Sequence, residues 1–106
     1  MSDHIVAGER LIRRLEQSAE IAGCRIRIVH EACKPWEAAL FMGGLHELTI
    51  TVDGQTGAAW LDCLDENAIC VPGFVLSKLE VSSVEVRLSA LYRLEATIEA
   101  ETVREA

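Results

Sequence analysis

The sequence predicts an α+β fold in which an antiparallel sheet of about five to six strands carries two helices on one face. Three observations favour this fold. An N-terminal stretch and a shorter central stretch repeat apolar residues at helical spacing. Several other segments alternate apolar and polar residues, which is typical of strands. The closing third keeps this alternation longest. The expected order of elements is α-β-β-β-α-β-β-β.

Composition places the chain among ordinary globular proteins. It has 106 residues, of which 50% are hydrophobic, so we expect a single domain over residues 1–106 with one core. No apolar run approaches the ~18 residues of a membrane span. Charges interrupt the N-terminal segment where a signal peptide needs its apolar core. We therefore expect a soluble, cytoplasmic protein with no membrane partner.

The charge is distributed unevenly. The net charge is −7, to which residues 1–36 contribute +1 and the remainder −8. Nucleic-acid binding depends on cations that neutralise phosphates, and a net negative charge opposes the approach of a polyanion. We therefore expect no nucleic-acid partner. A nucleic-acid accessory role stays a third hypothesis, based on the arginines of the first predicted helix, Arg10, Arg13 and Arg14.

The first predicted element is a helix over about His4 to Ala22, capped by Ser2 or Asp3. Gly23 follows where a left-handed residue ends many helices. The apolar residues that form one stripe at helical spacing are Ile5, Leu11, Ile12, Leu15, Ala19 and Ala22.

A strand is predicted next, from Cys24 to about Cys33. Its alternation places His30 on the same face as Ile26 and Ile28. We expect Lys34-Pro35 to end this strand, because proline cannot donate to the hydrogen-bond ladder.

The segment from Lys34 to Gly54 is predicted to form a β-hairpin with Gly43-Gly44 as its two-residue turn. In this register Phe41 lies opposite His46. One face of the hairpin is typical of a core, and the other is about half apolar, which is more than a solvated sheet face carries. The apolar residues of that second face are Trp36, Leu40, Met42 and Leu45.

Two further elements precede the last third of the chain. Thr56 can cap a short helix from Gly57 to about Glu66, and Ile69 to Val71 form a short apolar strand that Pro72-Gly73 ends.

The last third combines a strand pattern with a helical composition. Its helix-favouring residues argue for a helix over Arg87 to Ala106, whereas the alternation argues for strands, and we favour the alternation. The phase of the alternation changes at Ser82-Ser83, which predicts a bulge or a turn. A turn between Ser82 and Leu91 would create two antiparallel strands. The alternating apolar positions are Val84, Val86, Leu88, Ala90, Tyr92, Leu94, Ala96, Ile98 and Ala100.

Residues that could carry chemistry are few. His46 and Glu47 are adjacent in a predicted strand, so their side chains point to opposite faces. The cysteines show no Cys-x-x-Cys spacing, and we expect them to be reduced, buried and apolar in role. We therefore expect no catalytic residue, no metal and no cofactor. The four cysteines are Cys24, Cys33, Cys63 and Cys70.

A set of positions resembles a family of small bacterial proteins without assigned function, over about residues 24 to 101. The resemblance implies no activity and no site residues, and it supports a strand in the closing segment. The positions that carry it are Pro35-Trp36, Phe41, Gly43, His46, Gly73 and Leu94 to Glu99.

Two main functional hypotheses follow. The first is a non-enzymatic binding or assembly module that forms a homodimer or another homo-oligomer through an apolar sheet face, formed by Trp36, Leu40, Met42 and Leu45. The alternative is a small-ligand-binding protein or an enzyme with a pocket near Trp36, Phe41 and His46.

Overall fold

The computed structural model describes residues 2–86 and 93–105, which form a four-stranded antiparallel sheet and two helices. The strands lie in the order β1-β2-β4-β3, so each hairpin contributes one central and one edge strand. The α+β prediction is confirmed, whereas the predicted five to six strands and the order α-β-β-β-α-β-β-β are wrong. The elements are α1 (Asp3–Ala22), β1 (Arg25–Ala38), β2 (Phe41–Asp53), α2 (Gly57–Asp62), β3 (Phe74–Val86) and β4 (Arg93–Arg104).

Helix α1 forms as predicted, because its small and apolar residues recur every three or four positions and bury one stripe. Gly23 ends it at φ +89° and donates its N–H to carbonyls of the last turn. The fully buried residues of α1 are Ala7, Leu11, Leu15 and Ala19. Neither of the described helices has the length and hydropathy of a membrane span.

The core lies between the helices and one face of the sheet. Leu48, Ile50 and Val52 of β2 and Ile98 of β4 supply its sheet side. The loop after α2 closes it with three buried side chains, Leu64, Ile69 and Val71. The predicted extension of α2 to Glu66 and the predicted strand at Ile69 to Val71 are therefore wrong, because these apolar residues fill the core from a loop.

The first hairpin differs from the prediction in the position of its turn. Strand β1 continues through Pro35, because it is an edge strand whose free side does not require a backbone donor. The chain reverses at Ala39-Leu40, where Ala39 adopts φ +53°. Gly43 and Gly44 lie inside β2, so the predicted Gly43-Gly44 turn is wrong.

A bulge in β1 explains the position of His30. Ile28 pairs with Ile50, and the register then shifts so that His30 pairs with Thr49. The extra residue between them, Val29, moves His30 to the face opposite Ile28, where it is exposed. The predicted shared face of His30 and Ile28 is therefore wrong.

The closing strands confirm the alternation. β3 and β4 are strands, and the register shift between Val81 and Ser83 is the bulge that the change of phase predicted. Ala96 and Ile98 face the core, as expected. Ala100 is buried and Leu94 is partly buried, whereas Val84 and Val86 are exposed although they lie on the same side of the sheet. The predicted positions Leu88, Ala90 and Tyr92 and the predicted turn limit Leu91 lie outside the described residues.

The cysteines are less buried than predicted. Cys24 is buried at the start of the sheet, but the other three are exposed. Cys33 lies on the edge strand β1, beside a cavity that Ile5 and Gly8 of α1 also line, and Cys63 and Cys70 lie in the segment after α2. The prediction of four buried cysteines is wrong because three of them lie on an edge strand or in the segment after α2, where their side chains reach solvent.

Candidate functional site

The side of the sheet that faces away from α1 and α2 is termed the open face. Residues that pair directly across strands point to the same side, so the ladder shows which side chains lie there. Ile50 and Val52 point into the core, and therefore Thr49 and Thr51 point to the open face. Four successive rows of this face, each given in the order β1, β2, β4, β3, are Trp36–Gly43–Val103–Val75, Lys34–Leu45–Glu101–Lys78, Ala32–Glu47–Glu99–Glu80 and His30–Thr49–Thr97–Ser83.

One end of the open face is apolar. Phe41 is 59% exposed and Val75 is 51% exposed, although both are large apolar side chains. Trp36, Leu45 and Val103 lie beside them and are partly buried. We call these five residues the apolar end. No described helix covers it, so its apolar surface faces solvent in the isolated chain.

Trp36 packs against Gly43 at the apolar end. A Cβ atom placed on Gly43 would lie 2.9 Å from the indole Nε1 of Trp36, so the ring packs over the bare glycine. The indole Nε1 atom is buried and has no hydrogen-bond partner among the described residues. An unsatisfied buried donor destabilises a fold by about 1–3 kcal/mol. The packing of the ring over Gly43 therefore keeps Trp36 on the open face although its buried Nε1 atom lacks a hydrogen bond.

The middle of the open face is a shallow depression of about 600 Å³ with charged walls. Glu47 and Glu99 lie directly opposite each other, and Glu80 continues their row on β3. Like charges in such positions repel. Lys34 and Lys78 stand at the two edges of the neighbouring row, so the depression presents carboxylates between two cations. This arrangement favours a partner surface that carries both signs of charge.

Metal binding has no support in the described residues. No group of three or more His, Cys, Asp or Glu side chains among them is placed to hold a metal ion.

His46 lies on the other face of the sheet, beneath α1. It is 4% exposed, and its Nε2 atom is 2.8 Å from the hydroxyl oxygen of the buried Thr102. The Thr102 hydroxyl also lies 3.5 Å from the Gly44 carbonyl oxygen, and when it donates there it accepts a hydrogen bond from Nε2 of His46. Glycines at positions 8 and 44 leave room for the ring, because each lacks the Cβ that would approach it.

The electrostatics of His46 argue against a catalytic role. Burial, together with the smaller effect of the nearby His4, lowers the pKa of His46 to about 4. Partial desolvation by neighbouring atoms raises the pKa of the exposed Cys33 thiol, as does the charge of Glu31. Cys33 pairs with His46 across the ladder, beside a cavity of about 130 Å³. Near neutral pH this pair is therefore a thiol and a neutral imidazole, and a thiol is a poor nucleophile.

The structure separates the residues that the sequence grouped as an interface. Trp36 and Leu45 share the open face, but Met42 points to the opposite side and Leu40 lies in the turn, where it is 96% exposed. The predicted common face of all four residues is wrong, because the turn lies at Ala39-Leu40 rather than at Gly43-Gly44.

The residues of the predicted ligand pocket are separated as well. Trp36 and Phe41 lie on the open face, and His46 is buried on the other side of the sheet. The ladder places Cys33, not Phe41, opposite His46. The structure therefore does not bring Trp36, Phe41 and His46 to one cavity.

Sequence reasoning missed two members of the apolar end, Val75 and Val103. The sequence gives one local indication of Val103: it is apolar, whereas the preceding odd-numbered positions of β4 are polar. Its position beside Trp36 depends on the pairing of β2 with β4, which no local pattern shows.

Comparisons with known proteins find no matching family model, no matching curated protein and no matching solved structure.

Proposed function

We propose that this protein is a non-enzymatic assembly module that pairs with a second copy of itself through the open face. The observation that carries the proposal is the apolar end, where Trp36, Phe41 and Leu45 lie on a sheet face without a cover. The helices bury the opposite face of the same sheet. Contiguous apolar patches on soluble proteins mark contact surfaces, and aromatic residues are enriched in the cores of such surfaces.

The charges on the open face support a second copy of the chain as its binding partner. On the open face, β1 contributes Arg25, Arg27 and Lys34 and no acidic residue, whereas β4 contributes three glutamates and Arg93, which is ion-paired with Asp53. One face therefore carries both a basic and an acidic strip. A surface that combines both signs with an apolar end is complementary to itself, as a two-fold contact requires.

The alternative, a ligand-binding protein or enzyme, has less support. Its three proposed residues, Trp36, Phe41 and His46, do not converge on one site. The His46 imidazole is engaged with Thr102, and the raised pKa of Cys33 leaves no activated nucleophile beside it. A ligand site would need several polar groups that converge in one cavity.

A nucleic-acid role also has less support than self-association. The glutamates that line the open face repel phosphates, and Arg10 donates a hydrogen bond to the Pro72 carbonyl oxygen at 2.8 Å. One of the arginines on which that role depends is thus engaged within the chain.

The charged variant Leu45→Glu tests the proposal. Leu45 lies on the open face, so a carboxylate there should weaken the dimer by about 100-fold in Kd, because it replaces an apolar contact with charges from both copies. Sedimentation velocity over a range of concentrations measures this change.

Met42→Glu is the matched control, because Met42 is 46% exposed on the opposite side of the same strand. It should leave the dimer Kd unchanged. If the two variants weaken the dimer equally, or if neither does, the open face is not the contact surface.

A further inference from the structure

We infer the register of this dimer: its two-fold axis runs along β2, so that β1 of each copy lies over β4 of the other and Lys34 meets Glu101 of the second copy. The inference rests on the proposed function, since it assumes that the open faces meet. It adds which strand opposes which, and therefore which charges pair.

The two strips that flank β2 carry opposite charges. Open-face residues of β1 include Arg27 and Lys34, and open-face residues of β4 include Glu99 and Glu101. When a two-fold axis lies above β2 and runs parallel to it, the β1 strip of each copy lies over the β4 strip of the other. Each row of one copy then faces the same row of the other copy. This arrangement opposes unlike charges in two rows on each side of the axis, Arg27 with Glu95 and Lys34 with Glu101.

The same two-fold axis also brings apolar residues of the two copies together. The row of Trp36 meets the row of Val103, because both belong to one level of the ladder. Leu45 lies on the axis and meets its own copy. The apolar ends of the two copies therefore come together as the charged strips do.

Other registers oppose like charges. An axis between β2 and β4 would lay β1 over β3, which places Lys34 over Lys78, and would lay Glu47 over Glu99. An axis across the strands, midway between the rows of Glu47 and Thr49, would bring Lys34 over Arg27. In the proposed register Glu47 lies over its own copy and Arg25 lies over Arg93, but Leu45 lies over Leu45. The other two registers place a like charge opposite Lys34 and move Leu45 over Glu101 or Thr51, and this disfavours both.

Lys34 is the cation best placed for this contact. It is exposed, and among the described residues it forms no ion pair within its own chain. In the proposed register it faces Glu101 of the second copy directly and Glu47 of that copy diagonally. Glu101 accepts only a hydrogen bond from the Ser77 hydroxyl at 3.2 Å among the described side chains, and this leaves it accessible to a second cation.

Charge reversal tests the register, with dimer Kd measured by sedimentation at low salt and folding checked by far-UV circular dichroism. Lys34→Glu should raise Kd by about tenfold or more, because symmetry places the like-charge contact twice in each dimer. Glu101→Lys should do the same. The double variant Lys34→Glu/Glu101→Lys should return Kd to within about threefold of wild type, because it restores the pair with its signs exchanged.

Arg14→Glu is the matched control. Arg14 is also an exposed cation, but it lies on α1, on the side of the sheet away from the open face. Its reversal should leave Kd unchanged.

Two results would overturn the inference while the proposed function stands. One is a dimer that Lys34→Glu does not weaken. The other is a dimer that both Lys34→Glu and Lys78→Glu tighten, which would place β1 over β3. A monomeric wild-type protein would instead overturn the proposed function, and the register with it.

Discussion

Replacing Gly43 with alanine is expected to destabilise the protein by about 3 kcal/mol or more. A Cβ atom at this position would lie 1.8 Å from the Thr102 carbonyl oxygen and 2.9 Å from the Trp36 indole. The first distance is far below any van der Waals contact, and the atom it meets is backbone. The two central strands, β2 and β4, would have to separate at this end of their ladder, and Trp36 would lose its packing against Gly43. Urea unfolding at a fixed protein concentration measures the change.

Gly8→Ala is the matched control for this prediction. The added Cβ would lie 3.4 Å from Nδ1 of His46, which is close to ordinary contact. Gly8 lies within α1, where alanine is favoured over glycine by about 1 kcal/mol. We expect this variant to be as stable as the wild-type protein or slightly more so. Similar losses for Gly43→Ala and Gly8→Ala would contradict the close approach of β2 and β4.

Acidification from pH 6.5 to pH 4 is expected to remove about 3 kcal/mol of stability through His46 alone. The folded protein holds the pKa of His46 at about 4, below its ordinary value of 6.5. Between these values the unfolded chain binds a proton at this residue and the folded chain does not. Protons therefore favour the unfolded state as the pH falls through this window. Below about pH 4 both states are protonated and the loss from His46 is complete.

The variant His46→Gln isolates this contribution, because glutamine can donate to Thr102 but does not titrate. Its free energy of unfolding should change less between pH 6.5 and pH 4 than that of the wild-type protein. His30→Gln is the control, since it makes the same substitution at an exposed histidine and leaves the contact of His46 with Thr102 in place. Identical pH profiles for His46→Gln and the wild-type protein would show that His46 titrates normally in the folded state.

Local patterns in the sequence predict the elements that depend on local rules. Helix α1 follows from one apolar stripe and from Gly23, which can adopt the left-handed conformation that ends it. Strands β3 and β4 follow from alternation, and the bulge near Ser82 follows from the change of phase. In each case the decisive residues lie within a few positions of one another.

The open face could not be predicted from local patterns, because it depends on contacts between distant parts of the chain. Gly43-Gly44 resembles a turn locally, but Gly43 is needed because the Thr102 backbone approaches it. The true turn at Ala39-Leu40 has no such glycine, so the sequence placed the reversal four residues too late. This error moved Met42 and Phe41 to the wrong faces. The contact of Trp36 with the β4 side of the sheet could not be predicted without the β2–β4 register.

An isotope-filtered NOE experiment on a mixture of ¹³C-labelled and unlabelled wild-type chains tests the central claim most directly. It detects only contacts between different copies of the protein. We predict intermolecular NOEs to the methyl groups of Leu45 and Val103 on the open face, and none to Ile21, which is 89% exposed on α1. The absence of intermolecular NOEs at Leu45 and Val103 in a concentrated sample, or their appearance at Ile21 instead, would contradict assembly through the open face.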